Sequence, residues 1–255
     1  MIRFASLGSG SRGNALVVEA GATRVLLDCG FGPRELEPRL ARLGLSHADI
    51  DAVVITHEHS DHIGGVGRCA IRFGWPVYLT YGTSVAGLMA EKEICVELID
   101  GRNQFSIGDL QLFPFPVPHD AREPVQYAFS DGAVKLGVLT DVGESTPHIV
   151  DMLSGCAALV LECNHDGQML ANGRYPGFLK QRIAGRLGHL ANDAAAALLG
   201  QLDVSNLQHL IAAHLSEKNN TPQLARSALA QMMGCAPDWI GIAEQDDGFD
   251  WRSIG

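Results

Sequence analysis

Four side chains able to hold a divalent cation fall within six positions of this sequence: His57, His59, Asp61 and His62, in the run Thr56-His57-Glu58-His59-Ser60-Asp61-His62. Imidazole and carboxylate are the donors used by catalytic zinc and its first-row relatives. The chain has ten histidines in 255 residues, so three of them this close together demand a chemical reason. In an extended segment, residues two apart point the same way. That parity predicts that His57, His59 and Asp61 share one side and that His62 departs from it. The spacing suits two neighbouring ions better than one, and two ions need more donors than the run supplies. Three candidates stand elsewhere: His119 in Pro116-Val117-Pro118-His119-Asp120, Asp141 in Leu139-Thr140-Asp141-Val142-Gly143, and His214 in Ala212-Ala213-His214-Leu215-Ser216. Each follows an apolar run, as His57 does. Strand ends gathered on one rim are where α/β folds commonly build sites.

Those apolar runs are the elements that must position the donors. Short β-like runs rich in Val, Ile and Leu, mostly bounded by Gly, Asp or Pro, occur at 15–19, 24–28, 52–56, 76–80, 95–99, 110–117, 126–130, 134–140, 158–163, 207–213 and 239–243. Helices are expected over 33–43, 65–73, 84–92, 146–153, 175–187, 192–202 and 222–233. Thr146, Asn192 and Thr221 are the N-cap candidates, and Thr146 is followed by proline at the first helical position. The order predicts an α/β arrangement of sheets covered by helices. No low-complexity linker and no repeat of 20–50 residues divides the chain, so 1–255 reads as a single domain.

Composition removes several classes. The formal net charge of −10 argues against broad electrostatic adhesion to nucleic acid or to an anionic membrane. Bound cations would offset part of that charge locally and still permit a phosphate beside them. The start, Met1-Ile2-Arg3-Phe4-Ala5-Ser6, lacks the apolar core of a signal peptide. No apolar stretch approaches the roughly 20 residues that span a bilayer. The expectation is a cytoplasmic protein with no membrane partner. Six cysteines (Cys29, Cys69, Cys95, Cys156, Cys163 and Cys235) lack CxxC spacing and read as buried reduced thiols.

The full set of motifs resembles the metallo-β-lactamase-fold hydrolases, whose pattern is an Asp after the second strand, HxHxDH, a His, an Asp and a final His. Here these are Asp28, then His57, His59, Asp61 and His62, then His119, Asp141 and His214, in the same order across nearly the whole chain. The resemblance implies an αββα four-layer sandwich. It implies that His57, His59 and His119 hold one metal ion, that Asp61, His62 and His214 hold a second, and that Asp141 bridges them. Asp28 would support the ligands from behind, although an Asp before Cys29-Gly30 also reads as a turn former. Zinc is the expected metal for so His-rich a set, with manganese the alternative.

Within this family, Leu7-Gly8-Ser9-Gly10-Ser11-Arg12-Gly13-Asn14 resembles the N-terminus of the ribonuclease Z, phosphoribosyl cyclic phosphodiesterase and YycJ-like branches. On its own it reads equally as a strand–turn–strand loop. Leu161-Glu162-Cys163-Asn164-His165-Asp166 and Gly188-His189-Leu190-Ala191-Asn192 resemble the two ribonuclease Z loops whose Glu and His assist the leaving group. By that likeness His189 is a general acid or a phosphate-contacting group, oriented by Glu162; the wider family resemblance implies that Asp61 accepts a proton from the attacking water. The C-terminal half, with Tyr175-Pro176, Leu179-Lys180 and Gly188-His189-Leu190, looks most like the YycJ-like branch, except that Ala191 stands where a Ser is expected. Only 21 residues separate His119 from Asp141, and 72 separate Asp141 from His214. Those lengths leave no room for the arm or the inserted domain of the larger nuclease relatives. Arg174, Lys180, Arg182 and Arg186 form either a solvated helix face or a contact for a nucleic acid backbone.

The expected activity is therefore a dinuclear, metal-dependent phosphodiesterase, in its narrower form a DNA exonuclease taking single-stranded or end-frayed DNA. The alternative is a hydrolase of a small molecule: a cyclic phosphodiester, a lactone, a thioester or a β-lactam. The sequence leaves the oligomeric state open, a homodimer included.

Overall fold

The computed structural model describes residues 1–88 and 93–255. Among these, fourteen strands form two seven-stranded sheets. The first takes β1 (Ile2–Gly8), β2 (Ala15–Ala20), β3 (Thr23–Leu27), β4 (Ala52–Val54), β5 (Val77–Thr80), β6 (Val96–Ile99) and the returning β14 (Phe249–Ile254), in the order β14-β1-β2-β3-β4-β5-β6. The second takes β7 (Phe105–Ile107), β8 (Leu110–Pro116), β9 (Val125–Ser130), β10 (Lys135–Leu139), β11 (Ala158–Glu162), β12 (His209–Ala213) and β13 (Gly241–Ile242), in the order β13-β12-β11-β10-β9-β8-β7. Each sheet has an antiparallel part and a parallel part. The parallel strands are β3 to β6 in one sheet and β10 to β13 in the other.

Three apolar layers follow from the alternation of side chains along these strands. Leu16 and Val18 of β2, Val25 and Leu27 of β3, Tyr127 and Phe129 of β9, and Ile211 and Ala213 of β12 fill the space between the sheets. The intervening residues point outward. Val17 and Leu26 pack with Leu36 and Leu40 of α1 (Pro33–Arg42) and Val66 and Cys69 of α3 (Val66–Phe73); between those helices lies α2 (Ser60–Ile63). On the other face, Leu159, Leu161, Leu210 and Ala212 meet α5 (Pro147–Leu153), α8 (Asn192–Leu199) and α9 (Pro222–Met233). Three short helices complete the chain: α4 (Tyr81–Gly87), α6 (Gly167–Asn172) and α7 (Gly177–Ile183). The result is the expected αββα sandwich. Burial of each large aliphatic or aromatic side chain in these layers is worth about 1.5–3 kcal/mol.

Several expectations are corrected. The run from Thr56 to His62 is not extended: β4 ends at Val54, His59 caps α2, and Asp61 and His62 lie on its turn. Parity therefore does not govern these side chains. The strands β7 and β14 and the helices α2 and α6 were not expected, being short, edge-placed or rich in polar residues; β1, a buried seven-residue strand inside the first sheet, was also not expected. The helix expected over 84–92 begins earlier, and its positions 89–92 lie outside the described residues. The helix expected over 175–187 is reduced to α7. Thr146 and Thr221 cap α5 and α9 through their hydroxyls, but Asn192 does not cap α8. Ala191 occupies that position with no side-chain bond, while Asn192 pairs with Asn220. Cys29, Cys69, Cys156 and Cys163 are buried free thiols, whereas Cys95 is exposed and Cys235 half-buried. Among the described residues no helix is long and apolar enough to cross a membrane.

Candidate metal centre

All the sequence-predicted donors converge on one rim, where the parallel strands of both sheets end. Asp28 follows β3, the His-rich run follows β4, Asp141 lies two residues past β10, Glu162 ends β11, and His214 follows β12. Asp28, Asp141 and His214 share a backbone feature that their sequences do not announce: φ of 60°, 51° and 54°. Left-handed backbone is costly for residues other than glycine, and strain of this kind concentrates at functional positions. It turns the chain sharply at the strand end.

The run is pinned by its neighbours. Tyr127 Oη, buried between the sheets, donates to the Ile55 carbonyl at 3.1 Å, and Val125 N donates to the Thr56 carbonyl at 3.0 Å. On the far side, Asn14 N and Cys29 N donate to the carbonyls of Asp61 and His62, each at 2.8 Å. A Cβ on Gly30 would stand 2.0 Å from the Asp61 carbonyl oxygen, so only glycine permits this approach. Asp28 gathers the polar side. It accepts from Thr56 N at 2.9 Å, from the Thr56 hydroxyl at 2.9 Å, and from His62 Nδ1 at 2.7 Å. This is an outer partner that fixes the tautomer and angle of His62 and leaves Nε2 pointing inward.

Three imidazoles then face one another. The ring centroids of His57, His59 and His119 are 4.6, 4.9 and 5.0 Å apart, with interplanar angles of 72–80°. His119 Nδ1 donates to the Gly188 carbonyl at 3.0 Å, so its Nε2 carries a lone pair, 3.2 Å from His59 Nδ1. A second group is Asp61, His62 and His214. The Nε2 atoms of both histidines lie 3.4 Å from Asp61 Oδ2. Asp141 stands between the two groups and joins His57 and His62 in a third arrangement of mutually close donors.

Two orphaned atoms test whether this set fits a cation. His57 Nε2 is buried without a hydrogen-bond partner, and so is Asp141 Oδ2. Buried polar atoms are rarely left so. His62 Nε2 lies 2.9 Å from Asp141 Oδ2, yet with Nδ1–H committed to Asp28 both atoms present lone pairs. That contact needs a proton or a cation between the two. The donor set therefore fits divalent metal.

Charge completes the picture. Burial holds His57 and His119 down, in the neutral form that ligates. Burial also opposes protonation of His62 and His214, but carboxylates outweigh it. Asp141, Asp61 and Asp28 raise His62 well above the ordinary value, and Asp141, Asp61 and Glu162 push His214 up to about 10. Asp61 and Asp141 are held low by the surrounding histidines despite burial.

Glu162, fully buried, is saturated. Its Oε1 accepts from His189 Nδ1 at 2.8 Å and His214 Nδ1 at 3.0 Å, and its Oε2 accepts from Val142 N at 3.0 Å and Leu190 N at 3.1 Å. No oxygen is left for a cation, so Glu162 orients the two histidines. With Nδ1 committed there, Nε2 is the ring nitrogen His189 can offer to the cleft, and this side chain is 23% exposed. Burial disfavours the imidazolium of His189, but Glu162 and Asp141 outweigh it and raise its pKa. The depressed pKa of Glu162, about 2, has the complementary cause: His189 and His214 overcome its burial.

Sequence reasoning missed other positioning groups. In the glycine-rich loop, Ser9 Oγ accepts from His214 N at 3.0 Å, and Asn14 Nδ2 lies 3.1 Å from His62 Nε2. Asn164 Nδ2 donates to the His214 carbonyl at 3.0 Å. For Ser9 and Asn14 the only signal was small polar residues among glycines. The expected basic face is partly neutralised: Arg182 bonds Asp120 at 2.6 Å, and Arg186 forms a fork with Glu144 at 2.7–3.0 Å.

With this geometry in place, comparison with known proteins decides the family. The profile described as "Beta-lactamase superfamily domain" matches residues 23–214. The chain belongs to that superfamily. It is 36% identical over 238 residues to the exodeoxyribonuclease YycJ of Bacillus anthracis, covering 91% of this chain and 89% of that one. It is 31% identical over 249 residues to the exodeoxyribonuclease WalJ of Streptococcus pneumoniae, covering 94% and 91%. Among solved structures, the metallo-β-lactamase-fold protein YhfI of Bacillus subtilis superimposes with a TM-score of 0.75 at 15% identity, covering 99% of this chain and all of that one. The sandwich is the metallo-β-lactamase fold, and the chain is a metal-dependent hydrolase of this superfamily.

Proposed function

We propose that this protein is a deoxyribonuclease that removes nucleotides from a strand end by hydrolysing phosphodiester bonds with two divalent cations, zinc or alternatively manganese. The observation that carries the reading is the His189–Glu162 pair: an imidazole fixed through Nδ1 by a buried carboxylate at the edge of a donor set for two ions. Similarity over nine-tenths of the chain to two proteins named exodeoxyribonucleases supports the choice of substrate. In this reading 1–255 works as one domain, since its roles draw on residues from Asp28 to His214, and the protein acts in the cytoplasm.

His57, His59 and His119 would hold one ion; Asp61, His62 and His214 would hold the other; Asp141 would touch both. Bound there, divalent cations supply a water of lowered pKa and positive charge against the phosphate oxygens. The chain's residues manage the protons. Water attacking phosphorus must lose a proton, and Asp61, 19% exposed in the wall of the cleft, would accept it by position. The departing sugar oxygen must gain a proton, and His189 can donate one through Nε2. Glu162 keeps that ring oriented and stabilises its charged form.

The test is a panel of labelled single- and double-stranded DNA and RNA, each end blocked in turn, incubated with zinc- or manganese-loaded protein beside nitrocefin. Stepwise shortening of DNA from one end is expected. Nitrocefin cleavage without any phosphodiester cleavage would replace this reading with that of a small-molecule hydrolase.

A further inference from the structure

The cleft in front of the donor cluster has two lobes. One, about 220 Å³, has Tyr175 in its wall with His189 and His214; the other, about 160 Å³, holds Arg182 and Asp120. His59, Ile183 and His189 border both. Tyr175 is half-buried with the Lys218 ammonium 5.5 Å from its ring centroid. Three residues on, in the first turn of α7, Phe178 is 74% exposed. Phenylalanine is ordinarily among the more buried residues, and here it stands one turn before Arg182, on the helix that borders both lobes. Arg182 gives Nε–H to Asp120 and keeps a 63% exposed side chain. A guanidinium has five N–H donors, so one bond to Asp120 fixes the group without exhausting it. Arg186, by contrast, spends both of its nearer nitrogens on Glu144.

An aromatic ring beside a cation in the wall of a phosphate-directed cleft, with an exposed phenylalanine on the helix next to it, matches the recognition of unpaired nucleic acid. Bases stack on aromatic rings, and Lys or Arg follow the backbone. Paired bases inside a duplex have no free faces to offer. We propose that Tyr175 and Phe178 form a platform on which the unpaired bases of a single strand stack, while its phosphates pass Lys218 and Arg182 into the donor cluster. This inference rests on the phosphodiesterase reading and narrows it: the strand enters single, and base faces, not only phosphates, hold it.

The test compares a single-stranded oligodeoxynucleotide with one whose terminal residues are abasic, by fluorescence anisotropy and by cleavage, using the metal-loaded full chain. The wild-type protein should bind the base-bearing strand roughly 5- to 100-fold more tightly per stacked base. Tyr175→Leu and Phe178→Leu should shrink that ratio towards one, chiefly through KM, whereas Tyr175→Trp should restore it. Equal binding of the two strands by the wild-type protein would overturn the platform, as would a ratio that survives both leucine variants; Phe178 would then be an ordinary exposed hydrophobe. Tighter binding of the base-bearing strand without cleavage of either strand would leave the platform standing and sink the nuclease reading instead.

Discussion

The two rims that meet at the candidate centre are built differently. The rim of the first sheet supplies four donors from one unbroken run, held largely at its main chain: its carbonyls accept from Tyr127 Oη and Val125 N on one side and from Asn14 N and Cys29 N on the other, and the Asp28 carboxylate adds bonds to Thr56 and His62. The rim of the second sheet supplies single residues, each at or just past the end of a different element: His119 bonds the Gly188 carbonyl, whereas His189 and His214 both bond the Glu162 side chain. His214 is the clearest case. Its N–H goes to Ser9, its carbonyl receives Asn164, and its Nδ1 goes to Glu162. The difference teaches where each half is vulnerable. A run fixed largely by main-chain bonds tolerates loss of any one side-chain partner better than His189 and His214, which share a single orienting carboxylate.

Asp141 joins the halves and should produce the largest loss. Asp141→Ala should abolish turnover and leave less than one tightly held ion per chain, read by elemental analysis after zinc loading. Next comes a test confined to the second rim. His189→Ala should slow cleavage of DNA about 10²- to 10⁴-fold, the usual worth of a general acid, with metal content retained. Unaltered turnover on this poor-leaving-group substrate would remove His189 from its role. The outer carboxylates then measure the comparison itself. Asp28→Asn keeps a residue tolerant of left-handed backbone and should weaken metal affinity about 10- to 100-fold. Glu162→Gln should fall at or beyond the upper end of that range, since two histidines and two N–H groups depend on it. Equal effects from the two variants would erase the distinction between the rims.

Acidity gives a smaller handle on both rims at once. His62 and His214 have raised pKa values in the ion-free protein, so a cation must displace the protons they carry. Apparent zinc affinity should therefore rise with pH towards the His214 value of about 10, by about tenfold per pH unit for each proton displaced. Titration in buffers of different ionisation enthalpy would register the released protons. The smallest effect concerns the loop that carries His189. Ala191→Ser supplies the missing cap of α8 and should add about 0.5–2 kcal/mol of stability, read as a shift in the denaturation midpoint.

Much of this was legible in the chain because it is encoded locally. Val-, Ile- and Leu-rich runs mark the parallel strands, and the histidine run marks itself. His119, Asp141 and His214 could be read because each directly follows such a run. The positioning groups could not. Ser9 and Asn14 act across more than forty residues, and nothing in a glycine-rich stretch says which carbonyl or ring will lie opposite. The parity argument failed because a three-residue strand gives way to a helical turn inside the motif. The strand β14 escaped notice because Phe249-Asp250-Trp251-Arg252-Ser253-Ile254 is polar on one side, as suits a sheet edge.

The left-handed backbone at Asp28, Asp141 and His214 has a consequence for how this protein can change. At each of these positions the conformation would be relieved by glycine or eased by asparagine. A descendant that lost its chemistry would ease its backbone by such an exchange, but at Asp28 and His214 it would also give up buried bonds to Thr56, His62 and Glu162. Selection for activity and selection for an unstrained backbone pull in opposite directions at these three residues. A lineage relieved of the first demand should drift there before it drifts in the apolar layers.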